Sequence, residues 1–95
     1  MRLIWTDEAL IDAEAIAAYL FERNPTAATA VVAAIFEATN KLAKFPLIGP
    51  SLGSSEFRVL TVPKYGYIIV YHVGPNVINI VNVHHGRTDW LSEFV

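Results

Sequence analysis

The sequence predicts one α+β domain in the order β-α-α-β-β-β, a helical hairpin packed on an antiparallel sheet. Three observations carry that prediction. A short, bulky apolar segment opens the chain, apolar residues then recur at helical spacing as far as residue 45, and beyond residue 56 the period changes to two.

Leu3-Ile4-Trp5 is β-prone and ends at Thr6, a natural N-cap followed by Asp7 and Glu8 at the positive end of a helix dipole. Leu10, Ala13, Ile16, Ala17, Leu20 and Phe21 form the apolar stripe of a first helix over residues 7–23, which Asn24-Pro25 interrupts. Pro25 suits the first turn of a second helix, where its missing N–H has no partner to lose, and the alanine-rich stretch that follows favours helix. Its stripe is Ala28, Val31, Val32, Ile35, Phe36, Thr39, Leu42 and Phe45, and Pro46 stops it. So short a connection makes the two helices an antiparallel hairpin. Residues 45–56 hold two prolines, two glycines and three serines and read as a loop. Strands follow at 57–62, 66–73 and 77–84, separated by Pro63-Lys64-Tyr65 and Gly74-Pro75-Asn76, which makes a three-stranded antiparallel meander.

The middle strand shows Tyr67, Ile69, Tyr71 and Val73 on one side and Ile68, Val70 and His72 on the other, so both of its faces are mostly apolar. Two helices cover one face of a small sheet, and an uncovered face is usually polar. Either the sheet curls around its own loops or another chain covers it.

Composition points the same way. The 95 residues form a single domain, 54% hydrophobic and only 17% charged, against roughly 25% charged in an average soluble domain. Some of that apolar surplus is expected to meet a partner, and the isolated protein is expected to self-associate. Without cysteine there is no disulfide, thiolate metal site or thiol nucleophile. The N-terminus lacks signal-peptide features and no run reaches the about 18 apolar residues of a membrane span, so a cytoplasmic location is expected. A net charge of −2 gives no field to attract phosphate backbones, and strong direct nucleic-acid binding is not expected.

The residues able to do chemistry cluster late. His84, His85, Arg87 and Asp89 follow the last strand, with Trp90 and Phe94 beyond them, and Arg58 opens the meander. If both outer strands pair with the central one, the sequence allows Arg58 near the same end of the sheet as the cluster but does not fix it there. Arginine there offers a fork for phosphate or carboxylate and histidine an acid or base near neutral pH. The favoured reading for Arg58 is structural: it pairs with a carboxylate such as Asp89 and anchors the chain after the last strand. Adjacent histidines on a strand point to opposite faces, so His84 and His85 are not expected to share a metal, and no cofactor is expected. Tyr65, Tyr67 and Tyr71 read as core or interface.

The order of motifs resembles a known family. Ile16-Ala17-Ala18-Tyr19, Asn24-Pro25-Thr26-Ala27-Ala28, Leu42-Ala43-Lys44-Phe45-Pro46, Ile48-Gly49, Arg58-Val59-Leu60, Tyr71 and Val83-His84-His85-Gly86-Arg87-Thr88-Asp89-Trp90 together look like the ParE branch of the RelE/ParE toxins. The resemblance implies the toxic half of a type II toxin–antitoxin module, often a plasmid stabilisation protein. It also implies a hetero-oligomer with a cognate antitoxin that folds on binding and covers apolar surface. RelE-like members cleave mRNA in the ribosomal A site with basic residues on the sheet and near the C-terminus, whereas ParE-like members poison DNA gyrase. Here Ile68 stands where many relatives carry an arginine, the strand RVLTV has only Arg58 as a base, and the tail WLSEFV has no tyrosine. Phosphoryl transfer needs charge stabilisation close to the transferred group, so a gyrase inhibitor with no catalytic residue is the expected function. The alternatives are a RelE-like ribosome-dependent endoribonuclease and a non-toxic interaction module. Arg58, Tyr71, His85, Arg87, Asp89 and Trp90 are the positions the resemblance marks as contact or site-shaping residues.

Overall fold

The computed structural model describes residues 1–87. Strand β1 (Arg2–Trp5) leads into α1 (Asp7–Arg23), which is followed by α2 (Pro25–Lys44) and by strands β2 (Phe57–Val62), β3 (Tyr67–Val73) and β4 (Val77–His85). The expected order and hairpin are present, and the caps explain where the helices begin. The Ala9 N–H donates to the Thr6 hydroxyl oxygen at 3.2 Å, and the Ala27 N–H donates to Asn24 Oδ1 at 3.1 Å. Asn24 thus ends one helix and opens the next, because Pro25 at the first position gives up no hydrogen bond.

The hairpin covers one face of the sheet unequally. From α2, Ala28, Val31, Ile35, Ala38, Thr39 and Leu42 are buried, close to the stripe read from the sequence. From α1 only Ala9 is fully buried, while Leu10 and Phe21 of the expected stripe are exposed. The line that meets the core includes Ala9, Ile16 and Leu20, so the helix is turned away from the angle its bulkiest residues suggest. Phe36 and Phe45 also lie outside the core, and Phe36 instead packs its ring at 5.1 Å from that of Trp5.

The three later strands form the expected antiparallel meander, but the sheet as a whole is mixed. Its order is β1-β4-β3-β2, with β1 parallel to β4 from Arg2 beside Val77 to Trp5 beside Ile80. A parallel neighbour needs a long crossover, and the intervening hairpin and meander supply it. Thr6 ties the junction: its N–H donates to the Ile80 carbonyl at 3.1 Å, and its hydroxyl reaches the carbonyls of Ile80 and Val81 at 2.8 and 3.1 Å. Opposite, the β3 register jumps from Val70 beside Asn82 to Tyr71 beside Ile80, which leaves Val81 as the extra residue of a bulge.

Tyr67, Ile69 and Tyr71 face the helices and share a core with Ile35, Leu42, Ile78, Ile80 and Val83. By the strand period, the opposite face carries Phe57, Val59 and Thr61 of β2, Ile68, Val70 and His72 of β3, and Asn79 of β4. That face is thus more mixed than β3 alone implies, and Val70 within it is fully buried.

Candidate functional site

The sheet has two chemically different ends. At one, Arg58 lies beside Tyr71, and Tyr71 beside Ile80. At the other, Tyr67 lies beside His85. Arg58 therefore does not join the histidine cluster: β2 and β4 run the same way, and Arg58 aligns with a residue five positions before His85.

At the first end the side chains hold a loop. The Tyr71 hydroxyl donates to the Pro46 carbonyl at 2.9 Å and accepts the Gly49 N–H at 3.0 Å. Arg58 Nη1 donates to the Gly49 carbonyl at 2.7 Å, so Arg58 anchors the chain before β2, while the expected pairing with Asp89 lies outside the described residues. The backbone completes the closure through Val59 N–H to the Pro50 carbonyl and Leu52 N–H to the Phe57 carbonyl. Gly49 fits because a Cβ there would stand 2.1 Å from the Val59 carbonyl oxygen and 2.8 Å from the Tyr71 hydroxyl. Burial pushes the Tyr71 pKa up, against the opposing pull of the Gly49 hydrogen bond and the nearby Arg58 charge.

At the second end α1 and the tip of the meander enclose a cleft of about 660 Å³. Ile16, Leu20 and Val83 make it apolar, while Tyr19, Tyr67, His84, His85 and Arg87 give it polar tips. The rings of Tyr67 and His85 meet edge to face, 5.1 Å between centroids at 86°. The Arg87 N–H donates to His85 Nδ1 at 3.1 Å, which leaves the proton of the neutral imidazole on Nε2. Gly86 N–H closes the turn onto the Gly66 carbonyl at 2.8 Å, and Gly66 itself takes a positive φ of 75°. The Tyr67 pKa is raised, first by burial and then by the neighbouring Tyr19. His85 and Arg87 are thus brought together beside Tyr67, Tyr71 and Arg58 are set apart from them, and Asp89 and Trp90 lie outside the described residues.

Two residues of this cleft, Asp12 and Tyr19, are not among the candidate positions named from the sequence. Asp12 Oδ2 accepts the Val83 N–H and the Asn82 side-chain amide, each at 3.0 Å, and so caps the stretch of β4 that extends beyond β1. Nothing in the local sequence signals this pairing across seventy residues. Tyr19 stands at the rim with the Arg23 guanidinium 3.6 Å above its ring, and Arg23 Nη1 donates to the Tyr19 carbonyl at 2.9 Å. The tyrosine-to-arginine spacing of four was the available signal.

A small mixed sheet under a helical hairpin has counterparts of known structure. It superposes with a TM-score of 0.79 on a chain of the "Chromosomal ParDE TA system from P. aeruginosa", covering 90% of this chain and 95% of that one at 24% identity, a likeness of fold. Residues 3–90 match the family described as "ParE toxin of type II toxin-antitoxin system, parDE". Relatives include the protein of Sinorhizobium fredii named "Putative toxin Y4kP", 35% identical over 94% of this chain and 92% of its own. Toxin RelE2 of Caulobacter vibrioides is 30% identical over 88% of this chain and 93% of its own. The chain belongs to the ParE toxin family, within the ParE/RelE toxins of type II toxin-antitoxin systems.

Proposed function

We propose that this toxin arrests growth by poisoning DNA gyrase, without bond-breaking chemistry of its own, and that a cognate antitoxin holds it inactive. The observation that carries this reading is the state of the cations on the sheet. Strands β2, β3 and β4 contain one lysine or arginine between them, Arg58, and its Nη1 is committed to the Gly49 carbonyl at 2.7 Å. A ribonuclease would need such groups free to stabilise a pentavalent phosphorane. The net charge of −2 likewise favours a protein target over an RNA one.

In this reading His85 and Arg87, with Asp89 and Trp90 following in the chain, form the contact surface for the target. Arg58 and Tyr71 shape the molecule from the other end. The test uses purified toxin, gyrase and plasmid DNA. Accumulation of gyrase-linked double-strand breaks that rises with toxin and falls with antitoxin is the expected result. Undisturbed supercoiling, together with cuts in mRNA on programmed ribosomes, would replace this reading by an endoribonuclease in which His85 and Arg87 are the first residues to examine.

A further inference from the structure

The loop that Tyr71 and Arg58 hold does not hide its own side chains. Phe45, Leu47 and Ile48 are 59%, 63% and 52% exposed, and together with Lys44 and Pro46 they line a hollow of about 450 Å³. A loop with bulky apolar side chains in water would ordinarily turn them inward, yet here the backbone on both sides of Leu47 and Ile48 is fixed. The Pro46 carbonyl and the Gly49 N–H both bond the buried Tyr71 hydroxyl, and Ile48 N–H donates to the Phe45 carbonyl at 3.1 Å. Exposed apolar side chains on a pre-set backbone are what the centre of a binding surface requires, because little ordering remains to be done on contact.

The rim of this patch is basic although the chain is acidic overall. Lys41 and Lys44 occupy the last turn of α2. Glu37 lies four residues before Lys41, whereas Lys44 has Asn40 and Lys41 at the corresponding spacings. A second copy of the chain would bring these cations towards one another around a twofold axis. The chemistry fits a partner that carries carboxylates around a bulky apolar side chain.

We propose that Phe45, Leu47 and Ile48, with Lys41 and Lys44 at their edge, form a docking surface for an acidic segment of the antitoxin that seats an apolar side chain in the hollow. The inference rests on the proposed antitoxin control and adds the place and the chemistry of one contact. It separates this contact from the cleft at the opposite end of the sheet, so that the antitoxin segment and the proposed target surface need not coincide.

The test measures binding of purified cognate antitoxin to the full-length toxin, to Leu47→Ser/Ile48→Ser and to Lys41→Glu/Lys44→Glu, at low and high salt. All four substitutions are at exposed positions, and melting temperatures close to the unsubstituted protein's would verify folding. The expected result is at least a tenfold loss of affinity for each variant, with the salt dependence much reduced in the charge-reversed one. Unchanged affinity in both folded variants overturns the inference and leaves antitoxin control standing. Failure of the antitoxin to bind the unsubstituted toxin overturns both.

Discussion

Tyr71 and Tyr67 lie four residues apart on one strand, about 13 Å at about 3.3 Å per residue, and face the same core. They serve opposite purposes. The Tyr71 hydroxyl bonds two backbone groups of the α2–β2 loop, whereas Tyr67 turns its ring to His85 in the wall of an open cleft. The sheet therefore has a closed end, where polar side chains satisfy the backbone, and an open end, where tyrosine, histidine and arginine are left at a surface. Changes at the closed end should register mainly as stability, and changes at the open end mainly as activity.

The largest effect expected is at Gly49. In Gly49→Ala the new methyl group meets the Val59 carbonyl and the Tyr71 hydroxyl, and a loss of about 3 kcal/mol or more should appear in urea unfolding. A normal midpoint for this variant would mean that the closed end is loosely built.

Next comes the pair that defines the contrast. Tyr71→Phe leaves the buried Gly49 N–H and the Pro46 carbonyl without their partner, for about 2 kcal/mol, while Tyr67→Phe should stay within about 0.5 kcal/mol. Equal losses in the same unfolding assay would erase the distinction between the two ends.

Alkaline pH sharpens it. Both tyrosines have a pKa raised above the ordinary 10.0, so the folded state holds these protons more tightly than the unfolded chain. The stability from this source is fully present below about pH 10 and is lost as the pH rises from there through the raised folded values. Urea midpoints measured from pH 9 to 11 should fall for the unsubstituted protein and fall less steeply for Tyr71→Phe. Parallel slopes would show that Tyr71 ionises as easily folded as unfolded.

Smallest in stability, and largest in function, is Arg87→Ala. Its exposed side chain should change stability by no more than about 0.5 kcal/mol, while growth arrest at equal expression is reduced. Undiminished arrest would remove Arg87 from the target surface.

Local chemistry made the helices legible. Thr6 and Asn24-Pro25 mark starts and stops within a few bonds of themselves, and the meander strands begin and end within a residue of where turn residues place them. Long-range pairing was less visible. β1 joins β4 across more than seventy residues, Val81 bulges where Thr6 reaches its carbonyl, and Asp12 caps Val83 from another element. For the site, His85, Gly86 and Arg87 were legible as a cluster because they are adjacent in sequence. The end of the sheet at which Arg58 lies was not legible, since an arginine's partner depends on strand direction and on a loop carbonyl that no side-chain pattern announces. Family resemblance supplied what periodicity did not, and the match over residues 3–90 bears it out.

The central claim is that the open end meets a protein target rather than an RNA substrate. Induced expression in a bacterium lacking the antitoxin, followed within minutes by parallel mapping of DNA breaks and of mRNA ends, tests it most directly. Gyrase-linked breaks with intact messages are the predicted result, and codon-positioned mRNA cuts without DNA damage would contradict it.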